Sequence, residues 1–423
     1  MKTKLIAGVI ATCFAAPVMA QSSVQIYGIA DAGITKTKGE KARIFSGGAD
    51  GSRIGFKGTE DIGGGFKAIF NLEARVELDT GTQTPTLISD NQGLYLTKGM
   101  GSLGPQLVGE IRTALQVPGS AAVNPEKALF DRTAMVGLIT PVGAILLGRM
   151  YTPGYEVFAA ADAFETGTAG TWGGITGGAA GFTALGADIR SQKSIQYRIA
   201  TPGGIGGSVM YGAKQSGYLG RYNKFYGAAL TYKANGFDVG IGHNRGYDWM
   251  DRTSLVTTTV GGSYTMGAFK FFAGLHDQKN ENSALLRDYI GAWDGMVAPR
   301  LAPLGAPTAT ALRNVFVNNI TRNSQVDATS YQLGAHYKMG AGRVMASVAR
   351  QNDRTASNSD ATLFALGYDH NLSKRTDVYT VVAKIRNQND GQYTPGVSGS
   401  PGGFTKVPGD DPHTFQVGIR HRF

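Results

Sequence analysis

Apolar and polar residues alternate with a period of two along much of the chain. Residues 66–78 put Phe66, Ala68, Phe70, Leu72, Ala74, Val76 and Leu78 on one face and Lys67, Asn71, Glu73, Arg75 and Glu77 on the other. Alternation sustained this long predicts a strand with one apolar and one wet side, because a helix would scatter both sets around its circumference. The period returns in residues 189–199, where Ile189, Ile195, Tyr197 and Ile199 oppose Arg190, Gln192, Ser194, Gln196 and Arg198. Residues 329–339 and 377–386 repeat it.

The connections between such segments alternate in length. Short ones fall at Ile62 to Gly65, Pro141 to Gly143, Pro202 to Gly204, Ala234 to Gly236, Met266 to Ala268, Gly340 to Gly342 and Leu372 to Arg375. Between them lie longer ones at 35–52, 79–130, 152–188, 215–223, 248–253, 279–326, 354–360 and 388–412. Seven turns and eight loops make about sixteen antiparallel strands in an up-and-down order. The expected fold is all-β: a closed transmembrane barrel, with both termini on the side of the short turns. In lipid an open sheet edge would leave backbone groups unpaired at several kcal/mol each, so the sheet must close. A sandwich gives no reason for short loops on one side only, and a β-helix would repeat every 20–30 residues, roughly, which this chain does not.

Composition sharpens this picture. Met1-Lys2-Thr3-Lys4, the apolar run Leu5 to Ala16 and Val18-Met19-Ala20 read as a secretory signal peptide over residues 1–20, leaving a single domain over 21–423. The formal net charge of +10 falls to about +8 without Lys2 and Lys4. The one Cys, Cys13, leaves with the leader, which excludes disulfides, Cys-ligated zinc and a cysteine nucleophile. The 61 Gly, with 18 Tyr and 19 Phe, suit strands joined by tight turns. They are expected in turns, on the lipid face and in the third long loop.

The chain resembles the Gram-negative general diffusion porins, particularly the trimeric porins of β-proteobacteria. Residues 23–33 (SVQIYGIADAG) resemble their first strand, and residues 52–68 (SRIGFKGTEDIGGGFKA) their second strand, turn and third strand. Phe130 to Leu138 and Leu147-Gly148-Arg149 resemble the fourth and fifth. The chain closes on Phe423, preceded alternately by His421, Ile419, Val417 and Phe415, which is similar to the signal read by the outer-membrane assembly machinery. The resemblance implies an outer-membrane homotrimer that passes small hydrophilic solutes and ions, contacts lipid and lipopolysaccharide, and needs no cofactor or metal. Strands four and five are apolar on both faces, as a subunit contact would require.

The resemblance also implies an inward-folded third loop that narrows the pore, with basic wall residues facing the acids of that loop. By motif Arg53, Arg132 and Arg190 fall on the wall, Arg75 and Arg149 are further candidates, and Arg198 shares the face of Arg190. Alternation independently points Arg53, Arg75 and Arg190 into the lumen, whereas Arg132 shares its parity with Ala134, Val136 and Leu138 and gets no clean assignment. The acids of loop 152–188 are Glu156, Asp162, Glu165 and Asp188, with Asp162 and Glu165 expected at the constriction from their position and Glu156 beside them. Facing charges across a water-filled neck would orient permeating dipoles, and the basic balance favours a weak preference for anions.

No catalytic constellation is present: His243, His276, His336, His370, His413 and His421 form no metal-spaced pair, and there is no GxSxG, so an enzyme is not expected. His276 and His336 read as polar wall residues. The long segments 79–130 and 279–326, one with helix-like spacing over Leu107 to Val117, keep two alternatives open: a substrate-specific channel or a surface adhesin.

Overall fold

The computed structural model describes residues 23–83, 95–120, 128–176, 189–214, 223–396 and 403–423. The expected leader, the start at Gln21, the Gly-rich second half of the third loop and Asp188 lie outside the described residues.

The strands are β1 (Ser23–Thr37), β2 (Arg43–Ser46), β3 (Arg53–Gly63), β4 (Phe66–Arg75), β5 (Thr133–Thr140), β6 (Gly143–Tyr151), β7 (Arg190–Ala200), β8 (Ile205–Gly212) and β9 (Lys224–Ala234). They continue as β10 (Phe237–Tyr247), β11 (Thr253–Met266), β12 (Phe269–Asn280), β13 (Val326–Met339), β14 (Gly342–Asp353), β15 (Ala361–Asn371), β16 (Thr376–Asn387) and β17 (His413–Arg422). From β3 onward each pairs antiparallel with the next in sequence, and β17 returns to β1 with Ile29 opposite Arg422 and Thr37 opposite Thr414. The sheet is therefore a closed barrel. The seventeen segments fill sixteen positions, because β2 and β3 share one. The lower half of β1 pairs with β3, Ile29 opposite Arg53, and its upper half with β2, Ala32 opposite Ser46. Residues 35–52, expected as loop, thus contain a strand that is only four residues long and has no room for a readable period.

Alternation decides which side each residue faces. Val24, Ile26, Ile195, Ile199, Leu333, Val417 and Ile419 are exposed on the outer wall, as a lipid-facing surface requires. Aromatic pairs mark its two borders. Phe237–Tyr264 at 4.4 Å and Phe269–Tyr337 at 4.9 Å lie by the short turns, and Tyr211–Tyr226 at 5.4 Å lies at the loop ends. The terminal residue completes the closure: Phe423 exchanges two backbone hydrogen bonds of 3.1 Å with Gly28, and its ring lies over that glycine.

The third loop folds inside. Its helix α2 (Pro153–Ala161) starts at Thr152, whose hydroxyl accepts from the Tyr155 amide at 3.3 Å, with Pro153 in the first turn. Asn244 of β10 holds that start from the wall, accepting from the Gly154 amide at 3.1 Å and donating to Thr152 at 3.0 Å. Val157, Phe158 and Ala161 are buried against β10, β11 and β12. The wall has glycines there. A Cβ on Gly242 would stand 2.8 Å from Gly154, and one on Gly274 only 2.6 Å from the Trp172 ring. The strand glycines expected on the lipid face thus include a set on the lumen face, where they seat the loop.

Helices also form in the long second and sixth loops: α1 (Pro105–Ser120) in the second, and α4 (Leu286–Ala292), a π-helical turn (Trp293–Val297), α5 (Ala298–Leu301) and α6 (Ala306–Asn323) in the sixth. A single turn, α3 (Gly173–Thr176), follows α2 in the third loop.

Candidate functional site

Three neighbouring strands put charge on one lumen face. Tyr27, Gly55 and Glu73 lie in register on β1, β3 and β4, as do Ile29, Arg53 and Arg75 one step above. Tyr27 donates to Glu73 at 3.1 Å and to Asn71 at 2.8 Å. Arg53 pairs with Glu73 at 3.6 Å and with Asp50, and Arg75 pairs with Asp131 and with Glu77, each at 3.2 Å. Alternation therefore points Arg53 and Arg75 correctly.

Arg132 also enters this cluster. Its Nε donates to Glu73 at 2.6 Å and its guanidinium to the Tyr151 hydroxyl at 3.2 Å. It resists reading by parity because β5 begins at Thr133, so Arg132 precedes the regular strand. Arg190 donates to the same hydroxyl at 2.7 Å and lies 4.3 Å over the Tyr151 ring. Its agreement with the alternation is fortuitous. A bulge at Lys193, whose φ is +50°, shifts the register between Ser191 and Ser194, so that Ser191 rather than Arg190 shares the face of Ser194. Arg190 reaches the lumen from the first position of β7.

Arg149 does not join them. It is registered with Ala134 on the outer-face row of Leu147 and Val136, and its Nε donates to the Asp131 carbonyl at 2.6 Å. Arg198 stays on the lumen row of Gln196 and forms an ion pair with Glu156 of α2, a direct contact between wall and third loop.

The two remaining loop acids differ. Asp162, expected at the constriction, is fully enclosed. Its carboxylate accepts from the Phe164 amide at 2.9 Å, the Thr166 amide at 3.1 Å, the Trp172 amide at 3.2 Å, the Thr171 hydroxyl at 2.6 Å and Gln332 at 3.4 Å. Burial pushes this carboxyl above its ordinary value, while those donors pull it back. Asp162 is the knot that folds the loop, and no face of it meets water. Glu165 is half-exposed and is held by Arg343 of β14 through two bonds of 2.6 and 2.8 Å. Burial would raise its carboxyl, but the Arg343 bonds and charge bring it down to about 2. Glu165, Thr166 and Thr168 all have φ near +60°, which is uncommon for any side chain and strained for branched threonine.

The opposite wall supplies further partners, of which His336 was expected on the wall while Gln416, Arg343 and Arg420 were passed over. His336 bonds the Ala163 carbonyl at 2.6 Å, Gln332 accepts from the Ala163 amide at 2.8 Å, and Gln416 accepts from the Ala169 amide at 2.6 Å. Arg343 also reaches Asp369 at 3.1 Å, and Arg420 reaches Asp377 at 3.0 Å. The usable signal was the alternation of β14, in which Arg343 shares its parity with Ser347 and Gln351. His276 lies on the lumen side with its Nδ1 against Thr259 at 2.8 Å, a wall residue behind the loop.

A closed barrel, a third loop pinned across its inside and a cluster of arginines on the facing wall are the geometry of a channel. A family profile described as Gram-negative porin matches residues 7–390. The chain belongs to the Gram-negative porin family. Over the full length of both chains this porin is 27% identical to outer membrane porin protein 32 of Delftia acidovorans, and 24% identical to an outer membrane porin of Bordetella pertussis. Its fold matches the solved anion-selective porin from Comamonas acidovorans with a TM-score of 0.67, covering 95% of this chain and 100% of that one at 24% identity. The porin is thus an outer-membrane channel protein rather than an enzyme.

Proposed function

We propose that this porin passes small hydrophilic solutes and ions through a neck between the third loop and the wall of β3 to β7, with a weak preference for anions. The reading rests on one observation above the others: the third loop crosses the lumen, tied to β10 by Asn244 and to β14 by Arg343, and leaves Arg53, Arg132 and Arg190 on the other side. Carboxylates compensate their neighbours, since Glu73 and Asp50 serve Arg53 and Arg132 while Asp131 and Glu77 serve Arg75. Among the described residues no carboxylate pairs with Arg190, so the positive charge least offset by a neighbour lies there. Four arginines thus stand beside four carboxylates, and a neck so nearly balanced, with one arginine left without a carboxylate of its own, selects weakly.

The same reading gives Glu156 and Glu165 the acidic side of the neck and Arg198 a supporting role at its edge. The solved anion-selective relative agrees with the sign. Three copies would meet on β5 and β6, whose outer residues Val136, Leu138, Ile145 and Leu147 are apolar and exposed. Lys36, Lys384 and Arg386 point outward near the loop ends of β1 and β16, where lipopolysaccharide phosphates would lie, and Phe423 offers the assembly machinery its terminal aromatic ring.

Swelling of liposomes carrying the purified protein, in sugars of increasing size, tests the channel. A cutoff that falls smoothly with size is expected; swelling for one sugar alone would favour a specific channel, and none at all would contradict the reading.

A further inference from the structure

The second loop leaves the barrel between β4 and β5, and the sixth between β12 and β13. Around the closed wall, β5 to β12 separate them on one side, and β13 to β17 with β1, β3 and β4 on the other. That is eight strands each way, so the two loops spring from opposite points of the rim.

They nevertheless share one hydrophobic core. Ile111 and Leu115 of α1 are buried with Tyr289, Trp293, Phe316 and Ile320 of the sixth loop. Trp293 and Phe316 stack at 4.6 Å within it. Polar ties cross the same junction: Asn323 donates to the Leu96 and Lys98 carbonyls, both at 2.9 Å, and Arg300 pairs with Glu110 at 3.4 Å. The eighth loop joins at the side, with Lys98 donating to the Asp390 carbonyl at 2.7 Å and Tyr95 facing Phe404 at 5.8 Å.

Loops rooted on opposite walls can share a core only by crossing the mouth. We propose that these helices form a fixed roof over the outer opening, and that this roof, ahead of the constriction, sets the size limit by excluding oligosaccharide-sized solutes while smaller ones pass at its flanks. The proposal rests on the channel reading above and adds a second, outer sieve to it. The junction is apolar and closed like a small domain interior, so the roof does not flap: opening it would bare the stacked aromatics to water.

The test compares the parent protein with two variants in liposomes and in planar bilayers. In one, residues 286–322 are replaced by a short Gly-Ser linker; in the other, Trp293→Ala and Phe316→Ala loosen the core while the chain length is kept. Both are expected to raise the swelling rate for tri- and tetrasaccharides several-fold, to change that for monosaccharides much less, and to raise single-channel conductance. An unchanged size profile in either variant, with channels still forming, overturns the roof and leaves the channel intact. Failure of the parent to conduct at all removes the channel reading and the roof with it.

Discussion

Arg343 on β14 grips Glu165 at the tip of the third loop through two parallel hydrogen bonds of 2.6 and 2.8 Å, seven strands away from the arginines that open β5 and β7. A fork-to-carboxylate pair of this kind fixes direction as well as distance, which suits a tip whose backbone runs through three left-handed residues. The position of this tip therefore depends on the Glu165 carboxylate remaining ionised, while other ties hold the rest of the loop.

This tie should resist acid. The Glu165 carboxyl lies at about 2, below its ordinary 4.5. A depressed value contributes stability in full above the ordinary value and loses it as pH falls through the lower one. Asp162 works in the opposite sense: its carboxyl is raised, so taking up a proton there relatively favours the fold. Single-channel recordings should stay quiet down to about pH 3 and become noisy below it, whereas Glu165→Gln should be noisy at neutral pH. Onset of noise in the parent near pH 6 would contradict the assignment.

Asp162→Ala should loosen the whole loop. It removes an acceptor shared by three backbone amides and a hydroxyl in a closed interior, which costs about 2–4 kcal/mol. The barrel should still fold, since its strands pair without the loop, but current noise should rise and the loop should become accessible to protease. A quiet, protease-resistant variant would show that the carboxylate is dispensable.

Gly274→Val probes the seat of the loop. The added carbons would collide with Trp172, whose ring stands 2.6 Å from an ideal Cβ at that position. Overpacking of this sort costs about 1–3 kcal/mol, and the indole has only the lumen to move into. Tryptophan fluorescence should report a more polar Trp172 and the conductance should change; identical spectra and conductance would contradict the packing.

Arg190→Ala should reduce anion preference more than Arg75→Ala, because Arg75 is neutralised by Asp131 and Glu77. One unit charge beside a watery neck acts with about 0.4–1 kcal/mol, a change of roughly two- to fivefold in the anion-to-cation permeability ratio. Equal effects from both substitutions would mean that the compensation inferred for Arg75 does not govern the pore.

Much of the barrel was legible because lipid imposes period two on every strand it touches, and the alternation of short and long connections follows from closure. Arg53 and Arg75 were readable for the same reason, lying well inside regular alternation. Arg132 and Arg190 stand at strand starts, next to an irregular segment and a bulge, where parity carries no information. Arg149 kept the parity of its strand and so left the lumen despite matching a motif. Asp162 and Glu165, three residues apart, were indistinguishable as loop acids; what separates them is which donors fold onto each, a property of the closed loop. The shared core of the second and sixth loops was invisible because only Leu107 to Val117 showed helix-like spacing, the sixth-loop helices carried no pattern that was read, and contact across the mouth leaves no local signal.

A water-filled neck in which Arg190, alone of its cluster, has no carboxylate partner among the described residues should favour anions slightly. Reversal potential in a tenfold potassium chloride gradient across a planar bilayer tests it most directly. A potential of the sign set by chloride, well short of the ideal anion value, is predicted, and Arg190→Ala should move it toward zero. A potential of the sign set by potassium would contradict the account.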